Sequence, residues 1–99
     1  MERPKRRDRY IAFEVEDPRR ARGVASALQT AVAPWPREAR PSIVFIQGVR
    51  GLVRCGHREK DAVIEILNSL EVGDPPVRVR TVGTSGTIRA ARSRYFSKS

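Results

Sequence analysis

Ser42-Ile-Val-Phe-Ile-Gln-Gly-Val-Arg-Gly-Leu-Val-Arg-Cys55 is the stretch whose reading decides the fold. Ser42 to Gln47 is a continuous apolar run rich in β-branched and aromatic side chains, the pattern of a strand buried on both faces. Gly48-Val-Arg-Gly51 supplies a turn, and Leu52 to Cys55 or Gly56 returns as the next strand. Two strands so closely joined form a hairpin, and its flanks determine what covers it.

Upstream, Ala21, Val24, Ala25, Leu28 and Val32 recur at helical spacing and predict one buried stripe. Asp17 is placed to cap that helix, with Pro18 at its first position, where a missing N–H costs nothing. Pro34, Pro36 and Pro41 end it and leave an irregular connection carrying Trp35. Downstream, a second amphipathic helix runs from about His57, with Val63, Ile66, Leu67 and Leu70 as its stripe. Glu59 and Asp61 sit in its first turn, where the helix dipole favours anions.

Further out lie two more strands. Tyr10 to Val15 places Ile11, Phe13 and Val15 on one face, with Ala12 and Glu14 on the other. After the break at Gly73-Asp-Pro-Pro76, Val77, Val79 and Thr81 alternate with Arg78 and Arg80, predicting a half-exposed strand with a basic outer face. Gly83-Thr-Ser-Gly86 reads as a turn feeding a last helix from Thr87 towards Phe96, packed through Ile88, Ala91 and Tyr95. The order β-α-β-β-α-β plus a C-terminal helix predicts an α+β, ferredoxin-like (RRM-like) sandwich: a four-stranded antiparallel sheet with two helices on one face. Residues 1–8 form a flexible basic arm, and 9–99 a single domain.

Twenty Lys and Arg against 11 Asp and Glu leave a net charge of +9, nearly all of the excess as arginine. Such an excess attracts polyanions, because each cation that neutralises a phosphate releases condensed counterions. One cysteine, Cys55, excludes an internal disulfide and a multi-thiol zinc site. With no secretory signal and no apolar run of about 18 residues, the expected setting is soluble and cytoplasmic.

Catalytic constellations are sparse. Cys55 and His57 offer two metal ligands where a zinc site needs three or four, so no metal site is expected. As nucleophile and base, the pair lacks an orienting third group. Gln47-Gly-Val49 resembles the phosphate loop of acylphosphatases, but it falls in the hairpin rather than after the first strand. Asn68, the only asparagine, belongs to the second helix, not to a neighbouring strand. Base stacking of the RNA-recognition-motif kind needs rings on the central strands, where Leu52, Val53 and Cys55 stand instead.

A distributed basic surface remains. Arg9 borders the N-terminal arm, Arg50, Arg54 and Arg58 surround the hairpin and the following helix start, and Arg78 and Arg80 share one strand face. Arg19, Arg20 and Arg22 crowd the first turn of helix one, as phosphate contacts or as salt-bridged surface. Ser85, Gly86 and Thr87 open the last helix with free backbone N–H groups, and Arg89 and Arg92 share one of its faces. That arrangement reads as a phosphate seat or as an ordinary capped helix.

Arg9-Tyr-Ile-Ala-Phe-Glu14, the strand ending Leu-Val-Arg-Cys55, and Val-Arg-Thr-Val-Gly-Thr-Ser-Gly-Thr-Ile-Arg89 together resemble the family of archaeal ribonuclease P protein component 2, relatives of a small subunit of ribonucleases P and MRP. The resemblance covers about residues 9 to 92. It implies a subunit of the endoribonuclease that removes 5′ leaders from precursor tRNA, with catalysis by the RNA and its Mg2+ and no cofactor on the protein. It also implies ribonuclease P RNA and a TIM-barrel-like component 3 as partners, the latter in a heterotetramer. Trp35, Ile43 and Phe45 are then the candidate protein interface. The alternatives from the residues are a stand-alone or ribosomal RNA-binding domain and an acylphosphatase-like phosphohydrolase.

Overall fold

The structure, a computed structural model, describes residues 7–96. Its elements in chain order are β1 (Asp8–Glu14), α1 (Pro18–Ala21), α2 (Gly23–Ala31), β2 (Ser42–Gln47), β3 (Arg50–Gly56), α3 (Lys60–Ser69), β4 (Glu71–Val72), β5 (Val77–Arg78), β6 (Arg80–Ser85) and α4 (Ile88–Ala91). A wider helical turn, Arg92–Phe96, extends α4. The main sheet has the order β2-β3-β1-β6 with every neighbouring pair antiparallel, the ferredoxin-like arrangement expected. The first six residues of the expected arm lie outside the described residues, and Asp8 already pairs with Gly56 in the sheet.

One sheet face carries Ile11, Phe13, Val53 and Cys55 and packs on Val24, Leu28 and Val32 beside Val63 and Leu67 of the helices. Ile11, Phe13, Leu28 and Leu67 are fully buried or nearly so, each stabilising the fold by about 1.5–3 kcal/mol relative to exposure. The expected single first helix is two, α1 and α2, interrupted at Arg22. Asp17 caps α1 by accepting from the Arg19 N–H at 2.9 Å, with Pro18 at the first position. Where α2 begins, the β4–β5 hairpin comes so close that a Cβ on Gly23 would lie 2.5 Å from Val72 Cγ1.

Three further expectations change. The strand foreseen over 77–81 is split at buried Val79: Arg78 pairs with Glu71 in a small hairpin, while Arg80 starts β6. Gly83, Thr84 and Ser85 belong to β6 rather than to a turn, because they continue the ladder with Ala12, Ile11 and Tyr10. β2 is not a fully buried strand; it is the sheet edge, half-buried on each face, with Val44 exposed and a bulge between Ile43 and Phe45. A run of apolar residues matches an edge strand covered on both sides as well as a central one, and burial is decided by neighbours far along the chain.

The second sheet face is covered too. Ala12, Leu52 and Ala91 form a small buried cluster, with Tyr10, Phe45, Val82, Tyr95 and Phe96 packed against it. The C-terminal segment thus lies across the face opposite the two long helices. Phe96 meets Phe45 edge-on, ring centroids 4.8 Å apart, and Tyr95 comes so near β6 that a Cβ on Gly83 would lie 2.1 Å from its hydroxyl oxygen. Ile88, expected on the packing face, is exposed. No helix of the described residues is long and apolar enough to cross a membrane.

Candidate nucleic-acid interface

Period-two alternation places Tyr10, Ala12 and Glu14 on the C-terminal side of the sheet, opposite Arg54, Leu52 and Arg50 of β3 in register. Arg80 joins them at the other flank, opposite Glu14. Two ends of the face emerge. One holds Arg50, Arg80 and Glu14; the other holds Arg54 and the Ser85-Gly-Thr87 start of α4, and Arg58 follows β3 there. They are separated by the four residue steps from Tyr10 to Glu14, about 13 Å at ~3.3 Å per residue.

The C-terminal segment links these ends, with Arg89, Arg92 and Arg94 exposed along it. The Arg92 guanidinium sits 4.6 Å from the centre of the Phe45 ring, which holds the cation by its π face. Thr87 caps α4, its hydroxyl accepting from the Ala90 N–H at 3.0 Å, so this start is a capped helix as one reading had it. Ser85 is buried, and its Oγ has no hydrogen-bond partner among the described residues. Arg9 reaches the same corner: a Cβ on Gly86 would lie 3.1 Å from its Nη1.

Glu14 organises the opposite end. Its carboxylate accepts from Arg50 Nε at 3.0 Å and from Arg80 Nη2 at 2.5 Å. These two hydrogen bonds, Arg50 first, hold the carboxyl below the usual glutamate range. Arg50 also donates through Nη1 to the Tyr95 carbonyl at 2.6 Å, tying the end of the C-terminal segment to β3. Arg78 donates to the Asn68 carbonyl at 3.3 Å and borders one shallow cleft with Arg80, Glu14 and Glu16. Asn68 in turn accepts from the Thr81 N–H at 3.1 Å.

The structure therefore brings Arg54, Arg89 and Arg92 onto one face, adds Arg50 and Arg80 through Glu14, and sets Arg78 on the small hairpin beside them. Arg19 is engaged elsewhere: it grips Asp17 at 3.0 Å, which lowers the Asp17 carboxyl and raises the Arg19 guanidinium. Arg20 donates to the Asp74 carbonyl. Trp35 and Ile43 pack against the helix-side core, while Phe45 lies on the opposite face, so the three do not share one patch. Cys55 is buried and His57 exposed. Among the described residues no group of three or more His, Cys, Asp or Glu is placed to hold a metal ion. Sequence reasoning missed Arg94 and the bridging role of Glu14; only the charge of the C-terminal run and the far-face position of Glu14 were available to signal them.

Fold and face together define a ferredoxin-like α+β domain whose second sheet face is roofed by an arginine-bearing helix. Residues 43–96 match the Rpp14/Pop5 family of ribonuclease P proteins, and the chain belongs to that family. It is 42% identical over 60 residues to ribonuclease P protein component 2 of Methanoculleus marisnigri, a match covering 60% of this chain and 38% of that protein. The chain thus aligns with about two fifths of that relative. A chain in the cryo-EM structure of yeast ribonuclease MRP shares the fold, with a TM-score of 0.60 at 14% identity over 87% of this chain and 79% of that one.

Proposed function

We propose that this protein is a subunit of ribonuclease P that holds the catalytic RNA through phosphate contacts. The observation that carries the reading is the run of exposed arginines, Arg54, Arg89, Arg92 and Arg94, on the face roofed by the C-terminal segment. Phosphate contacts position a protein on RNA without reading sequence, and arginine forks suit them. The aromatic side chains of that face, Tyr10, Phe45, Tyr95 and Phe96, pack against the small buried cluster beneath, and Phe45 and Phe96 also meet edge-on, which favours backbone contact over base stacking.

In this reading the guanidinium groups screen crowded phosphates, so the RNA reaches its active geometry at lower Mg2+. The chain works beside a TIM-barrel-like component 3, and cleavage of the precursor tRNA leader belongs to the RNA and its metal ions. The test is reconstitution: this chain, component 3 and the cognate RNA, assayed for precursor tRNA cleavage at limiting magnesium. Cleavage that depends on this chain, and that weakens with Arg89→Glu, supports the proposal. Cleavage indifferent to its omission refutes it.

A further inference from the structure

At the end of the sheet where β1 begins, β2 begins and β3 ends, Asp8, Arg40, Ser42, Arg54, Cys55 and Gly56 line a polar cleft of about 220 Å³. Register puts Ser42 directly across from Arg54, and Asp8 across from Gly56. We infer that this cleft seats one nucleotide unit of RNA backbone, with Arg40, Arg54 and Ser42 on the phosphate and Asp8 on the ribose 2′-hydroxyl. The inference rests on the RNA-binding reading above and adds a specific seat and a preference for ribose.

Arg40 is preorganised for the task. Its Nε donates to the Trp35 carbonyl at 2.9 Å and its Nη2 to the Ala33 carbonyl at 2.8 Å, so the fork is held in place. Nη1 has no hydrogen-bond partner among the described residues, and a guanidinium already fixed loses little side-chain entropy on binding. The Arg54 side chain is exposed and forms no ion pair among the described residues, while its backbone is paired within the sheet. Two cations and a hydroxyl donor converge where one phosphate fits.

Asp8 gives the cleft its second property. It forms no ion pair with Arg40 or Arg54. A carboxylate beside a phosphate seat repels the ligand unless it accepts a hydrogen bond, and the ribose 2′-hydroxyl is the donor that RNA offers and DNA lacks. Two arginines outweigh its charge, and its acceptor oxygens favour the ribose form. A DNA backbone would meet the same arginines and the same carboxylate without that compensation.

The experiment uses the full chain with an RNA hairpin and a DNA hairpin of the same sequence, followed by anisotropy over a salt series. Arg54→Gln, an exposed change that leaves the fold intact, is expected to weaken RNA binding roughly tenfold. It should also lower the slope of log affinity against log salt by about one. Asp8→Ala is expected to strengthen DNA binding and to narrow the RNA-to-DNA ratio at least about threefold. Independently, adenosine 5′-monophosphate titrated into the isotope-labelled wild-type chain should shift the amides of Ser42, Cys55 and Gly56. Tight RNA binding by wild type that neither variant alters, with nucleotide shifts elsewhere, overturns the cleft and leaves the RNA-binding reading standing. Failure of the wild type to bind the RNA hairpin overturns both.

Discussion

Replacing Glu14 by glutamine tests the charge network at one end of the arginine face. The carboxylate bridges Arg50 and Arg80, and glutamine keeps its shape while removing the charge that holds both. Arg80 is 74% exposed and Arg50 37% exposed, so solvent screens each pair and neither is worth more than a surface ion pair, about 0.2–1 kcal/mol. Together they contribute about 1 kcal/mol, equivalent to roughly 4–8 °C in Tm for a domain of this size. The sign with pH follows from the lowered carboxyl. Its contribution is fully present above the ordinary value of 4.5 and is lost as pH falls through the lower folded-state value, where wild type becomes neutral like the variant. Thermal unfolding at pH 7 should therefore separate the two proteins, and unfolding well below pH 4 should bring them together. Freed of the carboxylate, Arg50 and Arg80 should also bind RNA more tightly at low salt. A Tm difference as large in acid as at neutrality would refute the reasoning.

Gly51→Ala should cost about 1–3 kcal/mol, read as a lower urea midpoint, because a Cβ there would lie 2.3 Å from the Cζ of the fully buried Phe13 ring. Phe45→Ala removes both the edge contact with Phe96 and the ring beneath Arg92, so hydrogen exchange should accelerate at residues 92–96 well before it does in β1 and β3.

The elements and their order were legible because their signals are local. Ile11, Phe13 and Val15 alternate, Val24, Leu28 and Val32 recur at the helical period, and Asp17-Pro18 marks a helix start within two residues of itself. The composition pointed to a polyanion in the same way, since +9 of charge exists in any conformation. The arginine candidates were legible as a list, though not as a surface.

What the tertiary structure alone decided depends on contacts between distant parts of the chain. Glu14 meets Arg50 and Arg80 from 36 and 66 positions away, and no sequence period connects them. The apolar run of β2 looked buried because hydropathy records what a side chain prefers, while its place at the sheet edge was set by β3 pairing with β1 on its other flank. Phe45, Leu52, Tyr95 and Phe96 became one cluster only when the C-terminal segment turned back across the second sheet face. The sequence by itself determined the periodicities, the caps and the charge, which are properties of neighbouring residues. Tertiary structure decided which face is covered and which arginines stand together, because both follow from where strands remote in sequence are brought side by side.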